Sequence, residues 1–362
     1  MSGKVYNFAA GPATLPEEVL RTAQAELLNW HGSGMSVMEM SHRGKEFGEI
    51  FTHAKARFKS LLNVQETHEV LFLQGGATTQ FAAVPMNLMG ERGCADYAVT
   101  GNFSGIAAKE AEKYGSVHIA ASTAEGGHRS IPRQTQLDCT PGAAYFHYCA
   151  NNTIYGTAWD YVPEVGDVPL VCDMSSEIMS HPVDVSKFGL IYAGAQKNIA
   201  PAGLTIVIVD KRLAGRELAI TPQTMCYAGM IEKDSMLNTP PCWCIYILGL
   251  VLDWIGEQGG LEEMARRKKE RSALLYDILD NSRVYKAHAE QEARSDMNVT
   301  FRTESDALDA EFVSGAKARG LLNVKGHRLT GGMRASIYNA MPLEGVTALA
   351  EYMKEFEVMH HV

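Results

Sequence analysis

Two stretches decide the fold: Val168-Pro169-Leu170-Val171-Cys172-Asp173 and, a short way on, Leu190-Ile191-Tyr192-Ala193-Gly194-Ala195-Gln196-Lys197-Asn198. Each opens on a short apolar run without polar alternation. Each then reaches one charged residue. Such runs suit strands covered on both faces, as in parallel sheets with helical crossovers. The same signature recurs at 69–73, 95–99, 143–148 and 204–209. Helical patterns lie between them. Leu20, Ala23, Leu27 and Trp30 recur at helical spacing behind Thr14-Leu15-Pro16-Glu17, which reads as a capping box with Pro in the first turn. The expected class is α/β, with a mostly parallel central sheet flanked by helices.

The last third has a different rhythm. Thr239-Pro240-Pro241 opens an apolar helix to about Ile255, and Gly259-Gly260 breaks it. A second helix runs from Leu261 to Leu279, with Arg266-Arg267-Lys268-Lys269-Glu270 as a solvated face. Strand-like 297–301 and 335–338 then alternate with helix-like 311–319 and 343–357. This predicts a large domain over 15–258 and a smaller α+β domain over 259–362. Segment 1–14 is expected to pack near the functional site and the small domain.

Composition narrows the function. The chain has 362 residues, and its 33 basic against 42 acidic residues give a net charge of −9. Without a basic block it is a poor binder of nucleic acid or anionic membrane. The longest apolar run, Cys242 to Leu252, is about half of a membrane span. Residues 1–4 lead into no signal-peptide core. The seven cysteines form no Cys-x-x-Cys pair, so no metal site is expected. A reducing cytoplasm fits them best.

Asp173 ends one buried run and Lys197 follows the next. In open α/β sheets ligands sit beyond the carboxyl ends of strands. A lone Asp there would as readily cap a helix, and a lone Lys would as readily sit on a surface turn. Together they suit one cofactor. Pyridoxal phosphate needs a lysine to hold its aldehyde and a carboxylate to keep its ring nitrogen protonated. Desolvation lowers a lysine's pKa, which readies its amine for that bond. Gln74-Gly75-Gly76-Ala77-Thr78-Thr79-Gln80 lies between a strand and a helix. Its small residues let a phosphate approach the helix N-terminus. Neither a Walker loop nor a Gly-x-Gly-x-x-Gly is present. Phe103 and Thr153 each follow a strand and could meet a planar ring and its oxygen. Two basic clusters, Ser41-His42-Arg43-Gly44-Lys45 and Gly326-His327-Arg328 with Arg334, point to an anionic substrate.

Four longer strings carry a resemblance. They are Asn7-Phe8-Ala9-Ala10-Gly11-Pro12-Ala13, Met38-Glu39-Met40-Ser41-His42-Arg43-Gly44-Lys45-Glu46-Phe47, Tyr192-Ala193-Gly194-Ala195-Gln196-Lys197-Asn198, and Gly332-Met333-Arg334-Ala335-Ser336-Ile337-Tyr338-Asn339-Ala340. With them the chain resembles, end to end, the phosphoserine aminotransferase family, class V enzymes of pyridoxal-phosphate fold type I. The resemblance implies a cytoplasmic homodimer that moves the amino group of L-glutamate to 3-phosphohydroxypyruvate. The products are O-phospho-L-serine and 2-oxoglutarate. It also implies the related 4-phosphohydroxythreonine step of pyridoxal-phosphate synthesis.

It further implies roles for residues. Lys197 holds the cofactor aldehyde and Asp173 pairs with the ring nitrogen. Ala77, Thr78, Thr153 and Gln196 contact the cofactor, and Phe103 stacks on its ring. Asn238 and Thr239 reach the cofactor phosphate of the neighbouring subunit. Arg334 binds the substrate α-carboxylate. His42 and Arg43, with His327 and Arg328 of the other subunit, hold the substrate's second anionic group. Many members have Trp in place of Phe103 and some have Arg in place of Thr78. That shifts anion binding here toward Arg43, His327 and Arg328.

Four other readings compete. A cysteine desulfurase needs a late mobile cysteine, and the last one here is Cys244. An alanine–glyoxylate-type transaminase has no need of so many basic residues. A binding protein for a phosphorylated metabolite has no use for Lys197 at a strand end. A serine hydrolase is weaker, because Gly101-Asn102-Phe103-Ser104-Gly105 lacks the Gly-x-Ser-x-Gly order.

Overall fold

The computed structural model describes residues 4–360. Residues 1–3 of the expected N-terminal segment and 361–362 of the expected small domain lie outside the described residues. In chain order, β1 (Tyr6–Asn7), α1 (Glu17–Glu26) and α2 (Lys45–Leu61) lead into β2 (His68–Leu73). Next come α3 (Gly76–Leu88), β3 (Cys94–Val99), α4 (Asn102–Ala111), β4 (Ser116–Ser122) and β5 (Phe146–Cys149). The pair β6 (Asn151–Asn152) and β7 (Thr157–Ala158) precedes β8 (Leu170–Asp173), β9 (Leu190–Gly194) and β10 (Thr205–Asp210). Then follow α5 (Tyr227–Glu232), α6 (Cys242–Glu257), α7 (Gly260–Asn281), β11 (Lys286–Ala287) and β12 (Asn298–Arg302). The last elements are α8 (Asp306–Ala318), β13 (Leu321–Leu322), β14 (Met333–Ser336) and α9 (Leu343–His360).

Among the described residues, seven strands form one sheet in the order β2-β10-β9-β8-β5-β3-β4. β10 runs antiparallel to both its neighbours, and every other pairing is parallel. This is the α/β architecture with a mostly parallel sheet. Val70 and Phe72 pack on the side of α2 and α6, whereas Leu71 and Leu73 pack on the side of α3 and α4. Both faces are covered, which explains why the strands read as unbroken apolar runs. α6 buries Ile245, Leu248, Leu252 and Ile255. Each such side chain contributes about 1.5–3 kcal/mol by leaving water.

Three local expectations need correction. Thr14 does not cap α1. The helix starts at Glu17 with Pro16 at its N-cap and no side-chain cap, and the Thr14 hydroxyl donates to the Asn7 carbonyl at 3.0 Å. The helix begins only after Pro16, which leaves Thr14 a turn too early to cap it. The apolar stripe of α1 is Val19 and Ala23, with Leu20 left 48% exposed. Trp30 is buried beyond the helix. Strand β4 had no sequence signal. It is a sheet edge whose faces are only partly covered, so no apolar run marks it.

A further apolar cluster gathers Phe8, Leu275, Leu279, Phe301, Phe312, Met333 and Phe356. α7 contributes Leu261 and Met264 to the cluster beside the large sheet, and Leu275 and Leu279 to this one. β1 pairs with β13, Tyr6 opposite Leu321, so the N-terminal segment joins the elements that follow α7.

Candidate active site

The chain leaves β3 to form β4 on one side, then returns to form β5 on the other side of β3. That reversal opens a crevice beyond the strand ends. The turn after β3 brings in Phe103, in the first turn of α4. The turn after β5 brings in Thr153, which is buried. Asn152 Nδ2 bridges the two turns, donating to Thr100 Oγ1 at 3.2 Å and Thr157 Oγ1 at 3.1 Å. A Cβ on Gly101 would stand 2.5 Å from Asn152 Oδ1, so this close approach requires glycine.

Asp173 closes β8 and is only 6% exposed. In the sheet register it lies beside Cys149 of β5 and Tyr192 of β9. The Ser175 amide donates to its Oδ1 at 2.8 Å, and the Ser175 hydroxyl accepts from the Gly194 amide at 3.0 Å. Ser175 therefore joins the end of β8 to the end of β9. Lys197 follows β9, and its Nζ donates to Thr153 Oγ1 at 2.8 Å. The same Nζ lies 5.2 Å from the centroid of the Phe103 ring. Burial pulls the Lys197 amine below the usual lysine range; Asp173 and Cys149 pull the other way and lose.

The expected phosphate cradle is built locally. Gly75 has φ +95° at the N-cap of α3, a backbone region that favours glycine. The Thr79 hydroxyl folds back to the Gly75 carbonyl at 2.8 Å. Ala77 and Thr78 stand in the first turn, where amide N–H groups are free of helical partners. Gln74 Nε2 donates to the Thr239 carbonyl at 2.7 Å, so Thr239 of the same chain lies beside the cradle. Asn238 borders a cavity that Gln74 and Gly75 also line.

Other segments close over the crevice. The Ala13 amide donates to the Gln196 carbonyl at 3.0 Å. A Cβ on Gly11 would approach Lys197 Cγ to 3.2 Å. Arg334 of β14 donates through Nη1 to the Thr153 carbonyl at 3.3 Å. Burial pulls its guanidinium below the usual arginine range. Burial, Arg334 and Arg328 likewise hold His327 below the usual histidine range.

Of the residues singled out from the sequence, the chain brings Phe103, Thr153, Asp173, Lys197 and Arg334 into one crevice, with Gln196 next to Lys197. Ala77 and Thr78 stand at the α3 N-terminus. Among the described residues no hydrogen bond ties His42 or Arg43 to the crevice, and Arg43 Nε donates to His42 Nε2 at 3.3 Å. Arg43, Arg328, Asn238 and Thr239 are exposed. Sequence reasoning missed Asn152 and Ser175. The Asn151-Asn152-Thr153 and Asp173-Met174-Ser175 strings were the available signals, since short polar side chains after a strand often bond nearby backbone.

The chain matches the family model for class-V aminotransferases over residues 5–349. It is 52% identical to a curated phosphoserine aminotransferase of Laribacter hongkongensis, over 98% of this chain and 99% of that one. The structure of the phosphoserine aminotransferase from Bacillus circulans subsp. alkalophilus superposes with a TM-score of 0.96 at 43% identity, over 98% and 99% of the two chains. A pyridoxal-phosphate-bound phosphoserine aminotransferase from Trichomonas vaginalis gives 0.93 at 39% identity, over 97% and 100%.

Proposed function

The chain belongs to the class-V aminotransferase family, among its phosphoserine aminotransferases, and from that premise we propose the activity of this crevice. It is a pyridoxal-phosphate-dependent transaminase. It moves the amino group of L-glutamate to 3-phosphohydroxypyruvate, giving O-phospho-L-serine and 2-oxoglutarate for serine biosynthesis. The observation that carries this is the Lys197 amine, held on Thr153 beside buried Asp173 and over the Phe103 ring.

The donor set fits the cofactor. A lysine and a buried carboxylate share one sheet edge, with a helix N-terminus at Ala77 and Thr78. Lys197 would hold the aldehyde end, Asp173 the ring nitrogen, and Ala77 and Thr78 the phosphate. Thr153, Gln196 and Phe103 would contact the ring, and Asn238 and Thr239 the phosphate across a dimer. When bound, the cofactor supplies an electron sink for charge left on the substrate α-carbon.

The protein's own work is orientation and proton transfer. Arg334 receives the α-carboxylate of the substrate. Lys197 Nζ, its pKa lowered by burial, takes the proton from the substrate α-carbon. Thr153 Oγ1 aims that nitrogen. His42 and Arg43, with His327 and Arg328 of a second copy, grip the phosphate or the glutamate side-chain carboxylate. The active form is thus a homodimer in the cytoplasm. Its division at about residue 259, and a second activity on 4-phosphohydroxythreonine, belong to the same proposal. No helix among the described residues is long and apolar enough to cross a membrane.

An absorption spectrum taken before and after L-glutamate tests the reading. A yellow band that gives way to a near-ultraviolet band is expected. A protein that stays colourless after soaking in pyridoxal phosphate would overturn it.

A further inference from the structure

Thr153 meets both the lysine and the arginine of the crevice. Its hydroxyl accepts from Lys197 Nζ at 2.8 Å, and its carbonyl accepts from Arg334 Nη1 at 3.3 Å. The turn that carries Thr153 is also held by a buried polar network centred on Asn298 of β12. Asn298 Oδ1 accepts at 2.8 Å from the Nδ2 of Asn151, two residues before Thr153. Asn298 Nδ2 donates to Ser336 Oγ at 2.9 Å and to Tyr338 Oη at 3.2 Å, in and just after the strand that carries Arg334. Beside it, Thr300 stands opposite Arg334 in the β12–β14 ladder, and its hydroxyl donates to the Ile154 carbonyl at 3.2 Å.

The network reaches the other segments of the crevice as well. Asn151 Nδ2 also donates to Ser176 Oγ at 2.7 Å, three residues past Asp173, and that hydroxyl donates back to the Asn151 carbonyl at 2.9 Å. The Tyr338 hydroxyl donates to the Ala10 carbonyl at 2.8 Å, next to the Gly11 that abuts Lys197. Asn151, Ser176, Asn298, Ser336 and Tyr338 are all buried. Each of the two asparagines uses both of its side-chain N–H donors and its oxygen. A buried carboxamide paired at every position specifies one arrangement, because any other leaves polar groups without partners.

We infer that Asn298 is a positioning residue for the transamination. Through Ser336 and Asn151 it fixes the Arg334 guanidinium relative to Lys197 Nζ. It thereby sets the substrate α-carboxylate against the amine that takes the α-proton. Asn298 is 0% exposed, so it acts without touching substrate or cofactor. The inference rests on the roles given to Arg334 and Lys197 under the proposed function. A misplacement of about 1 Å between such groups can cost about a hundredfold in rate, which is why a remote side chain matters to the chemistry.

Steady-state kinetics on the holoenzyme test it, with O-phospho-L-serine as substrate and O-phosphoethanolamine as inhibitor. The inhibitor keeps the phosphate and the amine but has no α-carboxylate for Arg334. Asn298→Ala should raise KM for O-phospho-L-serine about tenfold and lower kcat about tenfold. It should leave the inhibition constant of O-phosphoethanolamine, and capture of pyridoxal phosphate by the apoprotein read by absorbance, within about twofold. In an Arg334→Ala background the same change should cost no more than about twofold in kcat/KM, because groups that act as one unit are not additive. Ser336→Ala cuts only the tie to β14 and should give the same selective loss in smaller measure, which decides the matter even if Asn298→Ala fails to fold. Equal losses for substrate and inhibitor, loss of cofactor capture, or full additivity with Arg334→Ala would overturn the proposal alone. A wild-type protein that consumes no O-phospho-L-serine would overturn the reading of the crevice and the proposal with it.

Discussion

The floor of the crevice and its rim are built on different terms. On the floor, Asp173, Thr153 and Lys197 each have partners from the same chain, and Ser175 and Asn152 lock the turns that carry them. The residues proposed to form the rim, Arg43, Arg328, Asn238 and Thr239, are exposed, and Arg43 Nε donates to its neighbour His42. The floor is preorganised by one sheet. In the proposed dimer the rim would gain its order from what docks there. Preorganised groups act on the chemical step, and exposed charges act mainly on capture of the anion.

Three substitutions would sharpen or break that contrast. The largest effect belongs to Lys197→Ala. It removes the amine proposed to carry the proton and should cost about four orders of magnitude in the glutamate half-reaction, measured by single-turnover absorbance. A loss confined to KM would place Lys197 with the rim instead.

Asp173→Asn comes next, with a loss of about a hundredfold to a thousandfold in the chemical step. It also tests the electrostatics with a definite sign. Burial lowers the Lys197 pKa and the Asp173 charge raises it, and burial wins. In the apoprotein, capture of pyridoxal phosphate should therefore rise with pH below the usual lysine range. Removing the Asp173 charge should move that rise to lower pH still. An unchanged midpoint would show that the two groups are not electrostatically coupled.

The smallest effect is expected on the rim. Arg43→Ala should raise KM for phosphorylated substrate about tenfold and leave kcat nearly unchanged, because an exposed arginine contributes capture energy rather than chemistry. Steady-state kinetics with O-phospho-L-serine would read it. A kcat loss as large as that of Asp173→Asn would erase the distinction between floor and rim.

Much of this was legible in the residues. Six of the seven strands in the large sheet read as apolar runs because both their faces are buried, while β4 escaped because its faces are only partly covered. Asp173 and Lys197 were visible as charges beside such runs. Ser175 and Asn152 were not, because their work is a hydrogen bond to a strand or turn that is remote in sequence. Thr14 was misread for a similar reason. Its hydroxyl is taken by the Asn7 carbonyl, and the start of the helix is set by Pro16.

By itself the sequence determined what depends on near neighbours: buried strands, helix breaks at Gly259-Gly260, and a lysine and an aspartate at strand ends. Tertiary structure alone decided that Phe103, Thr153, Asp173, Lys197 and Arg334 share one crevice. Their proximity follows from strand order and sheet register, which bring together residues far apart in the chain. Side-chain periodicity records which face of a strand is buried, but not which strand lies beside it.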